Sequence, residues 1–208
     1  MDTTTSFKER VKNEAIRNAK LYKTNFVDFE YLVCSEAFDD YYHIIKSDKS
    51  NYLHLIGIHT DLAAEAFFDK CYNKELEETD FDFIKPNQSE KNVKGSVRKK
   101  IKVLPDMVNL FTQKLLAEDN FKKNKIECAF ATSDNKFTLG FAVSGRPKSL
   151  LKGNELEASK TKDVDLIFRK TRNNEKPYSE LIYGKKEDII KYKEKISDLI
   201  CQDFLKDH

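Results

Sequence analysis

The chain lacks the signatures of the commonest phosphate and metal chemistries. No G-x-x-x-x-G-K-[ST] or G-x-G-x-x-G loop occurs in its 208 residues, which removes the backbone cradles of the usual nucleotide-binding folds. There is also no G-x-S-x-G elbow and no His-Glu-x-x-His helix, so neither a strained serine nucleophile nor a zinc-protease site is expected. Its four cysteines, Cys34, Cys71, Cys128 and Cys201, are scattered, with no C-x-x-C pair and no histidine at ligand spacing. A structural zinc site or a disulfide framework is therefore not predicted, and neither is a cofactor; a reduced, cytoplasmic setting fits. No stretch approaches the roughly 18 apolar residues of a membrane span. The residues after Met1 lead into a charged segment without the apolar centre of a secretion signal, so no membrane partner is expected. Internal repeats and low-complexity tracts are absent.

Charge of one sign is also missing, since the formal net charge is +2. The distribution is uneven, however. Residues 1–93 carry a net −6 and the remaining 115 carry +8. A basic face on the C-terminal half is the side predicted to meet a polyanion such as RNA; the plainer reading is a solvated lysine-rich surface.

A chain of this length supports one sizeable domain, read as residues 1–208. Ser6-Phe7-Lys8-Glu9 has the form of a capping box, and Phe7, Val11, Ala15, Ala19 and Tyr22 then place one apolar stripe on a helix over 1–25. Residues 26–123 read as mainly helical with one or two strands. Within them Phe26–Cys34 and Phe38–Ile45 have strand character. Thr60 or Asp61 is the expected cap of a helix carrying Leu62, Ala63, Ala66, Phe67 and Cys71. The acidic stretch Glu75 to Glu90, with Pro86, reads as a loop. From Ser96 the pattern is helical, with Val97, Ile101 and Leu104 on one face and the cations on the other. Pro105 is expected to interrupt it before helix resumes at Met107. Over 124–185 short strands separated by turn residues predict an antiparallel sheet of four to five strands. Ile189, Tyr192, Ile196, Leu199 and Phe204 predict a C-terminal helix over 186–208 covering one sheet face. Helices first and a meander later make the expected class α+β.

His54 sits in the aromatic-apolar run Tyr52-Leu53-His54-Leu55-Ile56-Gly57-Ile58. An imidazole there is either a packed core group or a general acid–base, and the glycine three residues on lets a ligand approach. His43 alternates with apolar residues and reads as structural; His59 adjoins a helix start, and His208 is terminal. Lys94, Arg98, Lys99, Lys100 and Lys102 form either a solvated helix face or a phosphate-neutralising cluster. The turn Arg146-Pro147-Lys148-Ser149 places two cations and a hydroxyl between strands, although Ser149 equally suits a turn. Arg169 extends the basic surface. Tyr178 has the ring to stack on a base or to fill the core.

The order of these motifs resembles a known family. The run Tyr52 to Ile58, a helix with Ala66-Phe67-Phe68, an acidic loop and Lys99-Lys100-Ile101-Lys102-Val103-Leu104-Pro105 follow one another. Gly140-Phe141 and Pro147-Lys148-Ser149-Leu150-Leu151 come next. From about Asp28 to Tyr183 this is similar to the phage-associated barnase–EndoU–colicin–RelE-like nucleases, in their fourth named group. The resemblance implies an α+β fold with a small antiparallel sheet and ribonuclease activity in phages, mobile elements or toxin modules. It places candidate catalytic residues at His54, Lys100 and Ser149. Ile56 stands where that family usually has threonine, and Phe68 where it has tyrosine.

The expectation is therefore a metal-independent RNA endonuclease of toxin or phage–host conflict type. The substrate's own 2′-hydroxyl would be the nucleophile. Lys94, Arg98, Lys99, Lys102, Arg146, Lys148, Arg169 and Tyr178 would contact RNA, and a cognate inhibitor protein would be a second partner. The alternative is a non-catalytic nucleic-acid- or protein-binding regulator of a phage or mobile element.

Overall fold

The computed structural model describes residues 5–206; His208 lies outside them. Helix α1 (Phe7–Tyr22) starts where Ser6 Oγ accepts a hydrogen bond from Glu9 N at 2.9 Å. Its Val11, Ala15, Ala19 and Tyr22 are buried, as the stripe predicted. A π-helical turn over Lys23–Val27 leads into strand β1 (Phe29–Cys34), followed by β2 (Tyr42–Lys46). The short helix α2 (Asn51–Ile56) ends on Gly57 in the left-handed conformation, φ 83°. Helix α3 (Ala64–Asn73) begins later than expected, because Thr60 closes its own turn. Its Oγ1 accepts from Leu62 N and donates to the Asp80 carbonyl.

Helix α4 (Glu90–Met107) starts earlier than read, with Ser89 Oγ accepting from Asn92 N at 3.3 Å. It passes through Pro105 and ends two residues later at Met107, the proline leaving the Ile101 carbonyl without the amide it would otherwise accept from. Helix does not resume at Met107 to Leu116. A 3-10 turn (Leu110–Thr112) leads straight to β3 (Leu116–Asp119). The remaining strands are β4 (Lys122–Lys123), β5 (Ile126–Glu127), β6 (Phe130–Ser133), β7 (Phe137–Phe141), β8 (Pro147–Lys152), β9 (Lys162–Asp163), β10 (Leu166–Thr171) and β11 (Glu180–Tyr183).

The class is α+β, with N-terminal helices and then antiparallel sheets. The strands divide between two sheets rather than forming one, in the orders β11-β10-β1-β2 and β8-β7-β6-β3-β9, with β4-β5 as a separate hairpin. The early strands β1 and β2 are thus completed by the late strands β10 and β11. β1 is buried on both faces: Tyr31 and Val33 join the main core with the helices, and Leu32 and Cys34 join a second core.

That second core corrects the expected C-terminal helix. Ile189, Tyr192, Ile196 and Ile200 do cover a face of the four-stranded sheet, but on a 3-10 turn (Lys186–Lys191) and a four-residue helix, α5 (Lys193–Ile196). The backbone around Leu199 to Cys201 is drawn out by Tyr178, whose N–H donates to the Leu199 carbonyl while its carbonyl accepts from Cys201 N. Those pairings use the amide and carbonyl groups that a continuing helix would need.

Candidate active site

Helices α2 and α4 pack against each other and on β8, the edge strand of the five-stranded sheet. Their meeting point holds Lys100, which periodicity left among the cations of the helix and which the family resemblance marked as a candidate catalytic residue. Val93, Val97, Leu104 and Met107 are buried on α4, and Lys100 falls on that same stripe, three residues after Val97 and four before Leu104. The five cations of this segment therefore do not share a face. Lys100 turns inward to α2, where its Nζ donates to the His54 carbonyl at 2.6 Å. Gly57 makes room for it, since a Cβ there would stand 3.0 Å from both Cδ and Nζ of Lys100. The C-terminal end of a helix favours a cation electrostatically.

Burial nevertheless dominates. Lys100 loses hydration and gains no carboxylate, so its pKa is lowered to about 8, with repulsion from Lys85 adding to the effect. His54 is exposed on the last turn of α2. Partial desolvation draws its imidazole below the ordinary histidine value, helped by repulsion from Lys100, Lys85 and Arg146. Lys85 is itself lowered by burial. It sits in a tight turn closed by Gln88 N donating to the Lys85 carbonyl at 3.3 Å. One neutral imidazole among three cations is a site that attracts an anion and leaves a base beside it.

Arg146 reaches this neighbourhood from the turn between β7 and β8. Gly145, at φ 77°, lets that turn lie on β2: Lys46 N donates to the Gly145 carbonyl, and an added Cβ would collide with the Ile44 carbonyl. The Arg146 guanidinium is exposed, with Nε donating to Ser144 Oγ at 3.1 Å. Beyond it opens a cleft of about 540 Å³ beside the β4-β5 hairpin, lined by Lys122, Arg146 and Lys148 among others. Lys148 Nζ donates there to the Glu127 carbonyl at 2.6 Å.

Ser149 stands elsewhere. The register between β7 and β8 slips after Gly140, so that Ser149 pairs with Gly140 while Pro147 pairs with Phe141. Ser149 Cβ lies on the side of Gly140 where Cys128 packs. Leu139 and Leu150, at the alternating positions, enter the core shared with α2 and α4. The Ser149 side chain thus faces away from His54 and Lys100.

The other expected RNA contacts are dispersed. Lys94 is engaged by Glu90 at 2.6 Å, and Lys99 is exposed on α4. Arg98 and Lys102, two residues either side of Lys100, project from the opposite side of the helix toward α1. Arg169 is paired with Glu180 at 2.7 Å on β10. Tyr178 is 2% exposed in the second core, so its ring fills space and is closed to a stacking base. Lys85 escaped the sequence reading. Its one signal was being the single lysine within the acidic stretch from Glu75 to Glu90.

An α+β domain with an imidazole set in a cationic niche is the class that fold and site define. The chain belongs to the family described as phage-Barnase-EndoU-ColicinE5/D-RelE like nuclease4, whose model matches residues 16–198. This is a nuclease family, and the match extends beyond the Asp28 to Tyr183 span of the motif resemblance at both ends. No curated protein and no solved structure matches the chain significantly. Among the described residues no helix is long and apolar enough to cross a membrane.

Proposed function

We propose that the protein is a metal-independent endoribonuclease, acting in phage–host or toxin-type conflict. The observation that carries this reading is the His54 imidazole, held below its usual pKa beside Lys100, Lys85 and Arg146 with no carboxylate among them. A phosphodiester fits that niche. Neutral His54 accepts the proton of the substrate's 2′-hydroxyl as its oxygen attacks phosphorus. Lys100, Lys85 and Arg146 neutralise the charge gathering on the phosphorane. The bond to the 5′-oxygen breaks, and Lys100, a better acid than an ordinary lysine, returns a proton to it. The products are a 2′,3′-cyclic phosphate and a 5′-hydroxyl. His54 gains one proton and Lys100 loses one, so the balance closes. Lys148 is offered as a contact for the flanking strand.

Purified protein incubated with total RNA in EDTA should generate cyclic-phosphate ends and leave all-deoxy oligonucleotides intact. His54→Ala and Lys100→Ala should each slow cleavage by about 10²-fold or more. Equal cleavage by the His54→Ala protein would sink the assignment. A second reading, nucleic-acid binding without turnover, draws support from the orientation of Ser149 away from His54. It would show as salt-dependent RNA binding with no cleaved product.

A further inference from the structure

On the far side of α4 from Lys100, helices α1 and α4 enclose a groove of about 460 Å³ lined by Arg10, Asn13, Glu14, Arg17, Arg98, Ile101, Lys102 and Pro105. Three of the chain's six arginines are gathered there. The groove's one carboxylate, Glu14, is already bridged to Arg17 at 2.9 Å. Among the described residues, Arg10, Arg98 and Lys102 have no carboxylate partner. Elsewhere many lysines and arginines are answered by a carboxylate, as in Lys23–Asp28, Lys70–Asp80 and Arg172–Asp48. The unanswered guanidiniums are also held in place, with Arg98 4.9 Å and Arg10 5.7 Å from the centre of the Phe7 ring. Positive charge that is fixed, concave and unneutralised calls for an anionic ligand.

We infer that this groove docks an acidic amphipathic helix of a protein partner. Arg98 and Lys102 are one helical turn apart, and Arg10 and Arg17 about two, the intervals at which carboxylates recur along one face of an α-helix. Ile101 and Pro105 give the groove an apolar strip suited to one aliphatic side chain between those carboxylates. A nucleic-acid strand fits less well. The ring at the groove, Phe7, is already approached by two guanidiniums and stacked on Phe83, so no face is left for a base. This inference stands apart from the nuclease reading, because it concerns the other side of α4 and needs no turnover.

The probe is a fluorescent 18-residue alanine-based helix with glutamates at i, i+4 and i+7 and one leucine between them. A glutamine counterpart and a 12-nucleotide RNA serve as comparisons. The full chain should bind the glutamate peptide at least ten-fold more tightly than the glutamine one, with an affinity that falls as salt is raised. The Arg98→Ala/Lys102→Ala protein should lose at least ten-fold in peptide affinity, whereas Lys99→Ala, an exposed cation of the same helix, should lose little. Equal binding of the two peptides, or binding that survives the double substitution, overturns the proposal. It is overturned equally if the double substitution weakens RNA binding instead, which would make the groove a nucleic-acid surface.

Discussion

Lys100 enters the apolar stripe of α4 between Val97 and Leu104, so its amine is desolvated and meets a backbone carbonyl where a carboxylate would have held its pKa up. A lysine lowered to about 8 and a histidine lowered from its ordinary value bracket neutral pH. Cleavage should accordingly be bell-shaped. The acid limb should fall below the normal histidine range, as His54 must be neutral to accept a proton. The alkaline limb should lie near 8, where Lys100 loses the proton it donates. Lys100→Arg keeps the charge and removes the titration. Initial rates between about pH 5 and 10 should then show no alkaline limb, with kcat down about 10²-fold and KM little changed. An alkaline limb that persists in that variant would assign it to another group.

At the scale of elements, the end of α2 and the inner face of α4 are one device, and Gly57 joins them. Its φ of 83° is the left-handed conformation that L side chains avoid at a cost of about 1–2 kcal/mol. A methyl there also crowds Lys100 Nζ at 3.0 Å. Gly57→Ala should therefore lower the unfolding free energy by roughly that amount and also slow single-turnover cleavage, by moving Lys100 off the His54 carbonyl. A stability loss with unchanged turnover would mean that the lysine's seat is not needed. The sequence put Val97, Ile101 and Leu104 on one face of this helix, yet counting the cations as a block hid that Lys100 belongs with the buried Val93, Val97, Leu104 and Met107. Two other features were not legible because they depend on tertiary pairing. The slip after Gly140 decides which way Ser149 points, and Tyr178 draws Leu199 to Cys201 out of the helix their spacing suggested.

Across the whole molecule, the charge imbalance between the two halves is answered internally only in part. Cations of β10 and the loop after it meet carboxylates of the N-terminal half: Lys170 lies 3.9 Å from Glu30, and Arg172 lies 2.6 Å from Asp48. Among the described cations left without a carboxylate, two groups are gathered in one place, Lys85, Lys100 and Arg146 around His54 and Arg10, Arg98 and Lys102 at the α1–α4 groove, while others such as Lys20, Lys99 and Lys125 lie elsewhere on the surface. The niche also sets a cost on folding. Lys100 is a base whose pKa is depressed in the folded state, so the fold holds fewer protons than the unfolded chain between about 8 and the ordinary lysine value. Stability therefore rises with pH through that window, and below it the penalty of the enclosed charge is fully present. Lys100→Met removes the charge and keeps the stem. The variant should be inactive yet about 1–3 kcal/mol more stable at pH 7 by urea unfolding, the gain shrinking as pH is raised through 8 toward 10.5. A variant that is less stable at pH 7 would show that the bond to the His54 carbonyl outweighs desolvation. Lys100 would then hold the fold together rather than burden it.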